Sequence, residues 1–270
     1  MKISFKTFTL TATLLGASVL LLSSCNKDDN DSYQPVPLPG ANAIVASAAG
    51  DSVAIVGKLN EFRTRAGAVV NNAPGAVGGR REVNWDGVPA NLTNTNTFPF
   101  DFFGSADANL GNGRKRGLIT TNTGTSFRVD STDFVDIDAS YGAQFESFSR
   151  KRLFTYLGNV ITEVTFKVPG TNTDAFVNDF AVIFSDVDQD NSTTVEYFSG
   201  TKSLGIFKAL PAPQSFSLVG VSFPAEKVTR VKITSGNGVL GAGVKDISNG
   251  GAKDLVVMDD FLYSEPKPQL

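Results

Sequence analysis

The sequence predicts an all-β protein, a jelly-roll-like two-sheet β-sandwich with long loops in its N-terminal half. Three observations point there. Past residue 65 the apolar residues fall in short runs separated by Gly, Asn, Thr and Pro, the punctuation of strands joined by turns. In the second half these runs alternate. Val164, Phe166 and Val168 share one face with Thr165 and Lys167 on the other, and Val228, Arg230 and Lys232 oppose Thr229, Val231 and Ile233. The 21 Phe, against one Trp and five Tyr, supply core volume without polar atoms to satisfy.

Taken in order, one helix is expected over Asp51–Arg65, where Val53, Val56, Leu59 and Phe62 recur at three-residue steps. Gly57 interrupts that run and leaves a strand open as the alternative. Strands are expected at Arg81–Trp85, Gly117–Thr120, Ser126–Val129, Val160–Val168, Ala175–Ser185, Thr193–Phe198, Ser203–Lys208, Phe216–Phe223, Val228–Thr234 and Leu255–Tyr263. Residues 71–113 are rich in Gly, Asn and Thr and read as long loops around Arg81–Trp85. Residues 41–265 are expected to form the sandwich, which is enough chain for one large core, and 266–270 a short tail.

Composition removes several function classes. The 270 residues contain no His, which excludes Ser–His–Asp and Cys–His machinery and His-ligated zinc. One Cys excludes an intrachain disulfide. A net charge of −3 gives no global pull towards nucleic acid.

The N-terminus reads as an address. Lys2 and Lys6 precede an apolar run from Phe8 to Leu22, shorter than the roughly 20 residues a spanning helix needs. It ends Leu22-Ser23-Ser24-Cys25, with the chain's one cysteine. This resembles the lipobox of bacterial lipoproteins. The resemblance implies diacylglycerol transfer to the Cys25 sulfur, cleavage of residues 1–24 and a stable lipid anchor. The following Asn26-Lys27-Asp28-Asp29-Asn30-Asp31 is similar to the lysine-then-acidic signal that sends some Gram-negative lipoproteins to the outer face of the outer membrane. Residues 25–40, with Pro35, Pro37 and Pro39 at alternate positions, read as a disordered, extended tether.

The body, roughly residues 52–265, resembles an uncharacterised group of secreted bacterial proteins. The likeness rests on Gly79–Pro89, Phe100–Phe103, Thr162–Thr171, Phe184–Asp188, Thr234–Asn237 and Val257–Phe261. That group brings no known activity. Val257–Tyr263 is also similar to the last strand of jelly-roll carbohydrate-binding modules, and the similarity implies calcium near such a strand.

Three places can carry chemistry. Asp186, Asp188 and Asp190 recur at period two, so an extended segment would put three carboxylates on one side, a hard-oxygen set suited to Ca²⁺. The run is not an EF-hand, because Asn191 and Tyr197 stand where Gly and Glu are required. Asp259 and Asp260 interrupt an apolar strand, and alternation should turn one of them inward, where it needs a donor or a metal. Arg81, Trp85 and Asp86 could stack on a sugar ring and bond its hydroxyls, or belong to the core. Two other patterns are false friends. Gly236-Asn237-Gly238-Val239-Leu240-Gly241 opens no helix, and Ser199–Lys202 falls in a hairpin turn.

No catalytic residue is assigned. The expected function is a non-catalytic binding or adhesion module, anchored by lipid to the outer membrane and exposed at the cell surface. An extracellular glycan is the leading ligand and an envelope protein the other partner. The competing expectation is a carboxylate-based polysaccharide hydrolase assisted by Ca²⁺. Asp133, Asp136, Asp138, Glu146 and Glu163 are its available acids.

Overall fold

The computed structural model describes residues 42–121 and 126–269. The leader, Cys25 and the tether over residues 25–40 lie outside the described residues. In chain order the elements are β1 (Ile44–Gly50), α1 (Ser52–Ala66), β2 (Arg80–Val83), β3 (Leu118–Thr121), β4 (Phe127–Asp130), β5 (Leu153–Tyr156), β6 (Ile161–Lys167) and β7 (Asp174–Phe176). They continue with β8 (Asp179–Val187), β9 (Thr194–Ser199), β10 (Lys202–Lys208), β11 (Ala212–Ser222), β12 (Arg230–Thr234), β13 (Val257–Ser264) and β14 (Lys267–Pro268).

The strands form two antiparallel sheets. One runs β1-β11-β8-β13-β5-β4, with β2 also paired to β13; the other runs β10-β9-β12-β6-β7-β14, with β3 also paired to β6. Between them lies an aromatic-rich core. Phe180, Val182 and Phe184 of β8 and Phe261 and Tyr263 of β13 meet Phe166, Tyr197, Val231 and Ile233 from the facing sheet. The chain is therefore an all-β two-sheet sandwich.

Helix α1 covers the outer face of the first sheet. Asp51 caps it, its carboxylate accepting from the Ala54 amide at 2.8 Å. Ile55, Leu59, Phe62 and Ala66 are buried at helical spacing against Ala181, Ile183, Leu218 and Leu262. Gly57 faces solvent, so it lowers only the intrinsic propensity, by about 1 kcal/mol, and the packed face decides for helix. That face differs from the one expected. Val53 and Val56 are 78% and 38% exposed, because they sit on the flank of the helix turned away from the sheet. Gly220 of β11 makes the close approach possible, since a Cβ there would lie 2.8 Å from the Phe62 ring.

Other differences follow from pairing. The expected strand Ala175–Ser185 is two strands, because the chain crosses between sheets at Val177 and Asn178. The expected tail extends a sheet, Lys267 and Pro268 pairing with Phe176 and Ala175. Strands β1 and β5 were not anticipated. The first is built from Ala, Ser and Gly around Ile44 and Val45, and the second is buried at all four positions, so neither alternates visibly. The long loops of the N-terminal half are present between β2 and β3, with 3₁₀ turns at Ala90–Leu92 and Asn112–Arg114.

Candidate functional site

The sugar-stacking group expected at Arg81, Trp85 and Asp86 does not form, and the bland alternative holds for the first two. Arg81 is fully buried and grips Glu265 with two parallel bonds, Nη2 to Oε1 at 2.7 Å and Nε to Oε2 at 2.8 Å. Trp85 is stacked on Phe154 with ring centroids 4.1 Å apart, and its indole N–H donates to the Asp259 carbonyl. The side chains face the interior because β2 pairs with β13, which turns Arg81 and Val83 towards the core. Asp86 stays half-buried at the surface, accepting from Asn84 Nδ2 at 3.2 Å.

Asp259 and Asp260 are both buried, where simple alternation allows one. A β-bulge explains it. Met258 pairs with Phe184 and Phe261 with Val182, so two aspartates stand opposite Ile183 and share the outer side of the sheet. The loop before β5 then supplies donors. The amides of Phe148 and Ser149 donate to Asp259, and the Ser149 hydroxyl donates to Asp260 and lies 3.3 Å from Asp259 Oδ1. Burial, and after it Asp260, pushes the Asp259 carboxyl well up; burial also raises Asp260. Protein donors thus hold the pair, and among the described residues neither Asp259 nor Asp260 offers the metal role expected of them a buried oxygen without a partner.

The run from Asp186 is also rearranged. Strand β8 ends at Val187, and Asp186 and Asn191 take left-handed backbone conformations, φ 68° and 70°. Period two therefore fails after Asp188. Asp190 is exposed in the turn and accepts from Asn191 Nδ2, away from the other two. Asp246 takes its place: one carboxylate oxygen from each of Asp186, Asp188 and Asp246 lies within 4.8 Å of the others. Burial first, and then the neighbouring acids, push Asp186 up to about 6 and Asp188 up to about 7. Asp254 braces the group from behind, accepting from the amides of Asp188 and Gln189 and from the Ser192 hydroxyl. Asp246 could not be found from spacing, since it lies on a loop remote in sequence.

The opposite end of β8 borders a cleft of about 460 Å³, which sequence reasoning missed. Arg65 from the last turn of α1, Asn178, Asp179, Ser222, Ser264 and Lys267 are among its lining residues. The Nε and Nη2 of Arg65 are buried and have no protein acceptor, and the buried Ser222 hydroxyl has no partner. Asp179 is 7% exposed, its amide donating to Ser264 Oγ. A guanidinium, a carboxylate and a hydroxyl thus meet in one concave polar surface. The acids named for hydrolysis lie elsewhere. Asp136 pairs with Arg128, Asp138 caps the turn at Ser140, and Glu163 pairs with Arg230.

No protein-family model matches the chain, and no curated protein or solved structure is significantly similar to it. Among the described residues no helix is long and apolar enough to cross a membrane.

Proposed function

We propose that the protein is a lipid-anchored cell-envelope module that binds an extracellular ligand without transforming it, and that the ligand is a glycan seated in the Arg65 cleft. One observation carries this: two buried guanidinium N–H donors and a buried hydroxyl meet no protein acceptor where they line a cleft of about 460 Å³. Buried donors without acceptors cost about 1–3 kcal/mol each, and a ligand rich in oxygen acceptors relieves that cost. Asp179 and the Ser264 hydroxyl complement them with acceptors and a rotatable donor for sugar hydroxyls. The lipobox resemblance at Leu22–Cys25 supports the anchor, and the likeness of Asn26–Asp31 to a lysine-then-acidic sorting signal supports placement on the outer membrane.

The test is a glycan array probed with the full-length chain in detergent, alongside Arg65→Ala and Ser222→Ala. Binding to at least one glycan class that weakens about tenfold in either variant supports the proposal, tenfold being the loss of one charged hydrogen bond. A blank array, or binding indifferent to both changes, overturns it. Anchoring is checked separately. Cys25→Ala should move the protein from the membrane to the soluble fraction, and persistent membrane association would refute the lipid attachment.

A further inference from the structure

We propose that Asp186, Asp188 and Asp246, together with the side-chain carbonyl of Gln144, form a binding site for one divalent cation of the calcium class. This site lies at the other end of β8 from the Arg65 cleft and does not depend on what the cleft binds.

Hydrogen bonding at the four groups is incomplete in a specific way. The Gln214 amide donates to Asp186 Oδ1 at 2.7 Å, while Asp186 Oδ2 is buried with no partner. Asp246 accepts from the Leu255 amide on one oxygen and the Ser248 amide on the other, both at 2.7 Å, which fixes its orientation and leaves lone pairs free. Neither oxygen of Asp188 meets a donor from outside the group; its close neighbour is the Asp246 carboxyl, which pushes Asp188 up. Protein structure normally satisfies buried polar atoms, so three open carboxylate oxygens in one place call for a missing partner.

Gln144 is an independent sign, because it is not an acid and comes from a different part of the chain. It is 3% exposed, and its side-chain amide donates to Asp186, which works against the upward push of burial there. Its Nε2 donates weakly to the Leu255 carbonyl, and its Oε1 is buried without a partner. A buried amide oxygen without a donor calls for a partner that the protein does not supply.

The donor chemistry selects the ion. All the ligand atoms are hard oxygens, carboxylate and amide, which suits Ca²⁺ over the softer metals that favour imidazole and thiolate. The charges acting on Asp188 are those of Asp186, Asp246 and Asp254, all negative, so the site attracts cations. A bound ion would tie together three segments: the end of β8, the excursion between β4 and β5 that carries Gln144, and the loop between β12 and β13 that carries Asp246. These meet in no shared strand ladder, and a cation is an economical cross-link for them.

The test uses the full-length chain, stripped with EGTA and titrated with CaCl₂ by calorimetry, with folding monitored by circular dichroism. One equivalent should bind, and Asp188→Asn and Asp246→Asn should each weaken affinity at least about tenfold. Asp190→Asn and Asp259→Asn should leave it within about twofold, since neither touches the group. Asp188 is the most accessible of the three acids, so its variant remains informative if the Asp246 variant fails to fold. Absence of binding by the folded, stripped protein overturns the proposal. So does binding that survives both substitutions, which would place the ion elsewhere.

Discussion

Two acidic clusters, Asp259 and Asp260 on β13 and Asp186, Asp188 and Asp246 around the end of β8, solve the problem of crowding carboxylates differently. At Asp259 and Asp260 the fold brings donors: two amides and a hydroxyl from the loop at Phe148 and Ser149 reach the oxygens. Around the end of β8 backbone donors reach one oxygen of Asp186 and both of Asp246, while Asp186 Oδ2 and both oxygens of Asp188 are left without one. Asp259 and Asp260 are the more deeply buried, and the clusters differ as well in what occupies the space between carboxylates. A cluster closed by its own protein is structural. A cluster left open at its centre is a place for an ion. Glu265 offers a third solution, direct neutralisation by Arg81.

The largest effect is expected where neutralisation is complete. Arg81→Ala should destabilise the fold by about 3–5 kcal/mol, because it strands a buried Glu265 carboxylate. Urea unfolding measures this, and a loss under about 1 kcal/mol would mean that the pair is not desolvated.

A smaller effect with a change of sign should separate the two acidic clusters. Asp188→Asn should stabilise the EGTA-treated protein by about 1 kcal/mol, by removing one of three crowded charges, and destabilise the Ca²⁺-loaded protein relative to wild type. Melting curves of both proteins in both conditions decide it. The same sign in EGTA and in Ca²⁺ would remove the contrast drawn between the clusters.

The smallest effect is a slope. Burial, then Asp260, raises Asp259 above the 3.8 of a free aspartate, so from about pH 4 upward the native chain holds a proton the unfolded chain has lost. That contribution to stability is full below about pH 4 and fades as pH rises through the native value. Asp259→Asn removes it. Between about pH 4 and pH 7 the stability difference should move steadily in favour of the variant, measured by urea midpoints. The groups facing the pair are Glu82 and Arg63, besides Ser149. Burial pushes Glu82 up, but hydrogen bonds from Arg63 and Arg80 outweigh it and hold its carboxyl below the ordinary value. Parallel pH curves for the two proteins would show that Asp259 carries no raised proton.

Much of the architecture could be read from residue pattern. Alternation located β6, β9 and β12 within a few residues, because half-buried strands write their two faces into the chain. The helix was legible, but its buried side was not. Periodicity says that a face exists, and the sheet beneath decides which flank is covered. Strand β1 left no signal because small residues suffice where α1 and β11 supply the bulk.

The sites were less legible. Asp186 and Asp188 could be singled out because they are close in sequence and share a carboxylate period. Asp190, Asp259 and Asp260 looked equivalent and are not, since one left-handed residue and one bulge reset the alternation on which the expectation rested. Gln144, Asp246 and Arg65 carried no local mark, for their significance depends on which distant groups fail to meet them.

The sequence alone determined the class of fold, the absence of imidazole chemistry and the lipobox resemblance at Cys25. Each depends on composition or on neighbours along the chain. Only tertiary structure decided that Trp85 and Arg81 belong to the core, that Asp259 and Asp260 are closed, and that Asp186 and Asp188 find Asp246 and Gln144. Burial and hydrogen-bond partnership are properties of groups brought together from far apart, and the one-dimensional pattern does not contain them.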